Sequence, residues 1–142
     1  DIMDAIKEKD AFLATGHISP EESLILCREG RKRGVNMILT HPEFPRTRIG
    51  RDDQAELAKL GVVIEKNWFN LAQKSVMPEE MAETIRTVGS GHVYLATDRG
   101  QKGAPTPVSE LKRFIAVMLT CGIAEAQIRD MVQKVPEEMV CR

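Results

Sequence analysis

Four short apolar runs, at residues 11–15, 35–40, 62–65 and 93–97, recur roughly every 25 to 32 residues and dominate what this chain can become. Each is rich in β-branched or long aliphatic side chains, and none alternates cleanly between apolar and polar. Continuous runs of this length suit strands buried on both faces, as in a parallel sheet. Helical spacing fills the intervals between them. Strand–helix alternation of this kind predicts parallel βαβ crossovers, in a doubly wound sheet or in part of a (β/α)8 barrel.

The helices carry their own start and stop signals. Ser19-Pro20-Glu21-Glu22 offers an N-cap serine, a proline at the first helical position and a glutamate at the capping-box position, and the helix ends near Gly34. Asp52 or Asp53 is expected to cap a second helix that stops at Gly61. Met77-Pro78-Glu79-Glu80 opens a third that stops at Gly89, and Thr106-Pro107 opens a fourth that ends near Gly122. A last helix is expected over 123–132, and residues 4–9 read as the tail of a helix preceding the first strand.

With 142 residues, the chain is expected to form a single α/β domain, residues 1–142. A hydrophobic fraction of 42% is too high for a disordered chain, and no apolar run approaches the roughly 18 residues of a membrane span. A net charge of −1 removes the main warrant for nucleic-acid or acidic-membrane partners. Cys27, Cys121 and Cys141 are odd in number and far apart, which argues against a disulfide framework and for a reducing cytoplasm. No secretory leader pattern follows Asp1, and the lack of an initiator Met reads as a cut or truncated piece.

Polar residues follow the strands in a repeated way: Thr15-Gly16-His17, Thr40-His41-Pro42-Glu43, Glu65-Lys66-Asn67 and Thr97-Asp98-Arg99-Gly100. In parallel α/β folds the active site gathers at the C-terminal ends of the strands. Three of the four strands therefore deliver His17, His41 and Asp98 to one rim. Two imidazoles and a carboxylate suit a divalent metal such as zinc, manganese or iron.

The segments TGH–SPEE, THPEF and TDRGQ, in this order after apolar runs, resemble the second half of an amidohydrolase-superfamily metal-dependent hydrolase. The likeness is strongest to a little-characterised group with TGH, THP and TD-GQ segments. It runs from Phe12 to about Met131 and implies the (β/α)4 half of a (β/α)8 barrel, strands five to eight. It also implies that His17 and His41 are metal ligands and that Asp98 is both ligand and general base. The implied reaction is attack of metal-activated water on an amide, ester or related bond of a small-molecule substrate. Glu65 has no assigned role in that pattern. The superfamily's first-strand HxH pair and fourth-strand ligand would precede Asp1, and Lys134-Val135-Pro136-Glu137 stands where an Asn-Pro-Ala segment is usual.

Half a barrel leaves two open strand edges and an apolar inner face, so a partner is expected: a second copy forming a homodimer, or a missing N-terminal half. The competing reading is a truncated or degenerate half-barrel that serves as a non-catalytic assembly module. A flavodoxin-like binding domain is a third, supported only by Gly16 and the Ser19 cap.

Among other candidates, Arg46, Arg48 and Arg51 form a basic loop suited to an anionic substrate group, or to solvent. Glu65 is expected to support the site by hydrogen bonding, to touch substrate, or to pair with Lys66. Glu43 is expected to orient His41 or to face solvent, and His92 to lie at the far end of the sheet. Trp68 and Phe69 are expected to line or cover the rim.

Overall fold

The computed structural model describes residues 1–141. A first helix, α1 (Ile2–Glu8), leads into four strand–helix units. These are β1 (Phe12–Ala14) with α2 (Pro20–Lys32), β2 (Asn36–Leu39) with α3 (Arg51–Lys59), β3 (Val63–Asn67) with α4 (Trp68–Ala72) and α5 (Pro78–Val88), and β4 (Val93–Ala96) with α6 (Pro107–Thr120). The chain closes with α7 (Glu125–Arg129) and α8 (Val135–Val140). The strands form one all-parallel sheet in the order β1-β2-β3-β4. The fold class expected from the apolar runs is therefore an α/β fold with a parallel sheet, and the strand order follows chain order without reversal.

The two faces of the sheet differ. Met37, Leu39, Ile64, Lys66, Val93 and Leu95 are all buried; α2 packs on β2, α3 on β3, and α8 with the turn at Asp130–Lys134 on β4. On the other face Ile38, Val63, Tyr94 and Ala96 are only half-buried and Ala14 is exposed. Register sets Ala14 beside Ile38, Ile38 beside Val63, and Glu65 beside Tyr94, so this second face is a continuous surface across all four strands. The helices α2, α3, α5 and α6 each pack against the next in chain order.

Local chemistry explains most of the element ends. The Ser19 hydroxyl accepts from the Glu22 N–H at 3.2 Å, and the Glu22 carboxylate accepts from the Ser19 N–H at 3.0 Å. Thr106 caps α6 by accepting from the Ser109 N–H. Close approach decides one interior glycine: a Cβ at Gly30 would lie 2.3 Å from the Met37 sulfur, so α2 sits against β2 only because residue 30 has no side chain.

Two expectations need correction. Neither Asp52 nor Asp53 caps α3, whose N-cap is Gly50 without a side-chain bond; the two aspartates lie inside the first turn, where they complement the helix dipole. The single helix expected over 123–132 is instead α7, a widened π-type turn at Asp130–Lys134, and α8. Pro136 has no N–H to donate to Val132, and its ring crowds that carbonyl, so the ordinary helical register cannot pass through it. Helix α4 follows β3 directly, with the Asn67 side chain accepting from the Phe69 N–H at 2.7 Å. No helix among the described residues is long and apolar enough to cross a membrane.

Candidate functional site

The C-terminal ends of the strands hold a cleft of about 330 Å³ lined by His17, His41 and Asp98. Phe44, Phe69, Asn70 and Arg46 complete its wall. The three residues that the strand-end pattern singles out are thus brought together. The strand ends are laced to hold them. The Thr15 hydroxyl accepts from the Thr40 N–H at 3.0 Å, and the Thr40 hydroxyl accepts from the Gly16 N–H at 3.3 Å. These bonds fix the turns that follow β1 and β2, and the His17 and His41 rings stack with centroids 5.1 Å apart.

His41 and Asp98 both adopt left-handed backbone, with φ of 49° and 50°. Such conformations cost energy in a residue other than glycine and concentrate at functional sites, although His and Asp tolerate them better than most. The His41 carbonyl is fastened by the Phe44 N–H at 2.9 Å and the Thr47 hydroxyl at 2.7 Å. The Asp98 carbonyl accepts from the Gln101 side chain at 3.0 Å.

Behind His41 stands a buried carboxylate. His41 Nδ1 lies 2.7 Å from Glu65 Oε1. The same oxygen accepts from the Asn67 amide at 3.1 Å, and Glu65 Oε2 accepts from the Tyr94 hydroxyl at 2.8 Å. The Asn67 amide nitrogen also lies 3.0 Å from Nδ1; with a hydrogen on Nδ1 directed at the Glu65 carboxylate, Nε2 is the ring nitrogen that remains for a ligand. The hydrogen bond that the imidazole donates to Glu65 raises the His41 pKa above the ordinary imidazole value; burial opposes this, and the charges of Glu65, Asp98 and Glu43 add to it. Burial pushes the Glu65 carboxyl up, but the bonds from His41, Asn67 and Tyr94 outweigh it and hold the group below the usual carboxylate range.

The pairing expected between Glu65 and Lys66 does not form. Neighbouring strand residues point to opposite faces, and Lys66 lies fully buried on the helix-covered side. There its ammonium meets Glu43 and donates to Gln54 Oε1 at 2.6 Å. Glu43 therefore neither orients His41 nor faces solvent. Burial pulls the Lys66 pKa down, against the pull of Glu43.

The three loop arginines part company. Arg46 lines the His17/His41/Asp98 cleft. Arg48 turns away to donate to the Ser75 carbonyl and to Glu80, and with Arg51, which holds Glu83 at 2.5 Å, it lines a different cavity of about 450 Å³. Arg48 is thus no part of this cleft, because α5 supplies nearer acceptors. His92 is exposed in a short turn before β4, at the opposite end of the sheet. Trp68 is turned inward, its indole N–H donating to buried Glu110 at 2.5 Å, while Phe69 lines the cleft under the Arg99 guanidinium.

As a donor set, two imidazoles and one carboxylate fit a divalent cation in kind. Among the described residues no three His, Cys, Asp or Glu side chains converge on one ligating position. His17 and Asp98 are exposed, whereas His41 is half-buried and fixed by Glu65.

A family of unknown function (DUF6282) matches residues 1–65, a stretch that includes His17, His41 and Glu65 but ends before Asp98. No curated protein and no solved structure matches the chain.

Proposed function

We propose that this chain carries the strand-five-to-eight half of a (β/α)8 barrel and, at its rim, the metal-binding side of a metal-dependent hydrolase. One observation carries the functional reading: Glu65 fixes His41 through Nδ1 and so presents Nε2 to a cleft that also holds His17 and Asp98. A carboxylate behind a ligating histidine is the usual support of a metal site, setting the tautomer and raising ligand basicity. The sequential strand order and the single layer of neighbouring helices support the barrel half.

His17 and His41, with Asp98, would hold the ion. A bound divalent cation supplies Lewis acidity that activates water and polarises the scissile carbonyl. Asp98, at the end of β4, takes the proton from the attacking water and returns it to the leaving group. Glu65, Asn67 and Tyr94 keep the His41 ring from rotating. The substrate is a small molecule with an amide, ester or related bond, and a cytoplasmic setting accords with three free cysteines.

Metal content after reconstitution with zinc, manganese or iron tests the reading, measured beside a His17→Ala/His41→Ala double variant. Near-stoichiometric metal that disappears in the variant supports it. No retained ion in the parent chain overturns it.

A second reading, a non-catalytic assembly module, is favoured by the half-covered sheet face of Ile38, Val63, Tyr94 and Ala96. Closure by a second copy or by an N-terminal barrel half would cover that face. Sedimentation showing only monomer at micromolar concentration would remove the homodimer.

A further inference from the structure

The cleft contains a donor with nothing to donate to. Asn70, on α4, is 1% exposed and lines the cleft, yet its amide nitrogen has no hydrogen-bond partner. Burying an amide N–H without an acceptor is costly, and such groups call for an explanation in what binds beside them. A second donor lines the same cleft. Of the three arginines in the loop after β2, Arg48 and Arg51 are engaged by Glu80 and Glu83, whereas Arg46 has no ion pair or hydrogen bond among the described residues. Arg99 pairs with Glu110 at 3.3 Å and lies over the Phe69 ring. Arg46 and Asp98 nearly cancel in formal charge, so this is no general anion trap. What selects a ligand is one buried donor without a partner, Asn70, beside one exposed guanidinium without an ion pair, Arg46.

Apolar surface is the other part of the wall. Phe44 stands beside His17, with ring centroids 6.3 Å apart, and Phe69 forms another side. A volume of about 330 Å³ lies at the small end of ligand clefts.

We propose that this cleft takes a small organic carboxylate, its two oxygens accepting from the Asn70 amide and the Arg46 guanidinium and its apolar body resting against Phe44 and Phe69. The guanidinium fork matches a carboxylate in geometry as well as charge. This rests on the hydrolase reading for the substrate's fate, but not for its binding: both donors belong to the chain itself. In a substrate, the carboxylate anchors one end and leaves the scissile bond to reach toward His17, His41 and Asp98.

The test uses the full chain freed of metal by chelation, titrated with hexanoate, hexanamide and inorganic phosphate and followed by NMR of side-chain amides and backbone. Hexanoate should shift the Asn70 amide resonances and bind about tenfold or more tightly than hexanamide. Arg46→Gln, at an exposed position, should fold normally and lose about tenfold in hexanoate affinity while leaving hexanamide unchanged. Asn70→Asp, which replaces the donor with an acceptor of like charge, should weaken hexanoate further. Equal binding of the amide, preference for phosphate, or no effect of Arg46→Gln would overturn the proposal. Failure of metal uptake with hexanoate binding intact would overturn the hydrolase reading and leave the carboxylate site standing.

Discussion

Glu65 and His41 meet at 2.7 Å although one sits in the middle of β3 and the other begins the loop after β2. Two partners hold the pair in place: the Glu65 carboxylate accepts from Asn67 and from Tyr94 as well as from the imidazole. The ring is therefore held in orientation before any ligand arrives.

Replacing Glu65 by Gln should change both titration and metal retention. The fold raises the His41 pKa, so its contribution to stability is full below about 6.5 and is lost as pH rises through the raised value. The fold lowers the Glu65 pKa, so that contribution is present above about 4.3 and is lost as pH falls through the lowered value. The pair thus helps most between those limits. In Glu65→Gln, the metal-free chain should show a flatter stability profile across that window and a lower His41 pKa by NMR. Metal affinity should fall about 10- to 100-fold. An unchanged His41 titration would mean the contact does not persist in solution.

The Lys66–Glu43 pair makes a separate prediction on the helix-covered side of the sheet. Removing one partner leaves a charge buried without its counterpart, at a cost of about 3–5 kcal/mol. Lys66→Met and Glu43→Leu should each lose that much in urea unfolding. The double variant should recover most of the loss, since two apolar residues can replace a buried ion pair without penalty.

Gly30→Ala sets helix propensity against space. Alanine is the better helix former by roughly 1 kcal/mol, but its Cβ would meet the Met37 sulfur at 2.3 Å and Cγ at 2.9 Å. Met37 is fully buried, so any shift of its side chain presses on the packed core, and overpacking of about 1–3 kcal/mol should win. The expected result is a lower Tm, partly restored when Met37→Val is added.

Cysteine reactivity should follow burial. Burial pushes the Cys27 thiol up to about 12, and the side chain is fully enclosed. Exposed Cys141 should react with a thiol reagent at once, and Cys27 only as the chain unfolds.

The strands were legible because each is a short apolar run bounded by polar residues, the pattern that a parallel sheet imposes. The Ser19 and Thr106 caps were legible because the side chain that caps is itself the signal. Lys66 was not. A lysine within a strand reads as solvent-facing, and only the distant Glu43 and Gln54 make its burial tolerable. The same limit hid the support of the site: His17, His41 and Asp98 follow from their places after strands, whereas the Tyr94–Glu65–His41 chain depends on register between β2, β3 and β4. Asn70 stayed hidden because α4 begins without a break from β3, its cap being the last residue of the strand. Arg48 looked equivalent to Arg46 in sequence, and only the position of α5 separates them.

The unreversed strand order has a consequence for how the molecule is assembled. Each strand's partner is the one made just before it, so a ribosome delivering β2, β3 and β4 in turn always offers the newcomer a neighbouring edge only one connection away. Pairing in chain order closes smaller loops than a reversed strand order would, which lowers the entropy cost of each addition. The sheet can thus grow like a row of tiles laid from one side, and His17, His41 and Asp98 come to stand together only when the fourth tile is set.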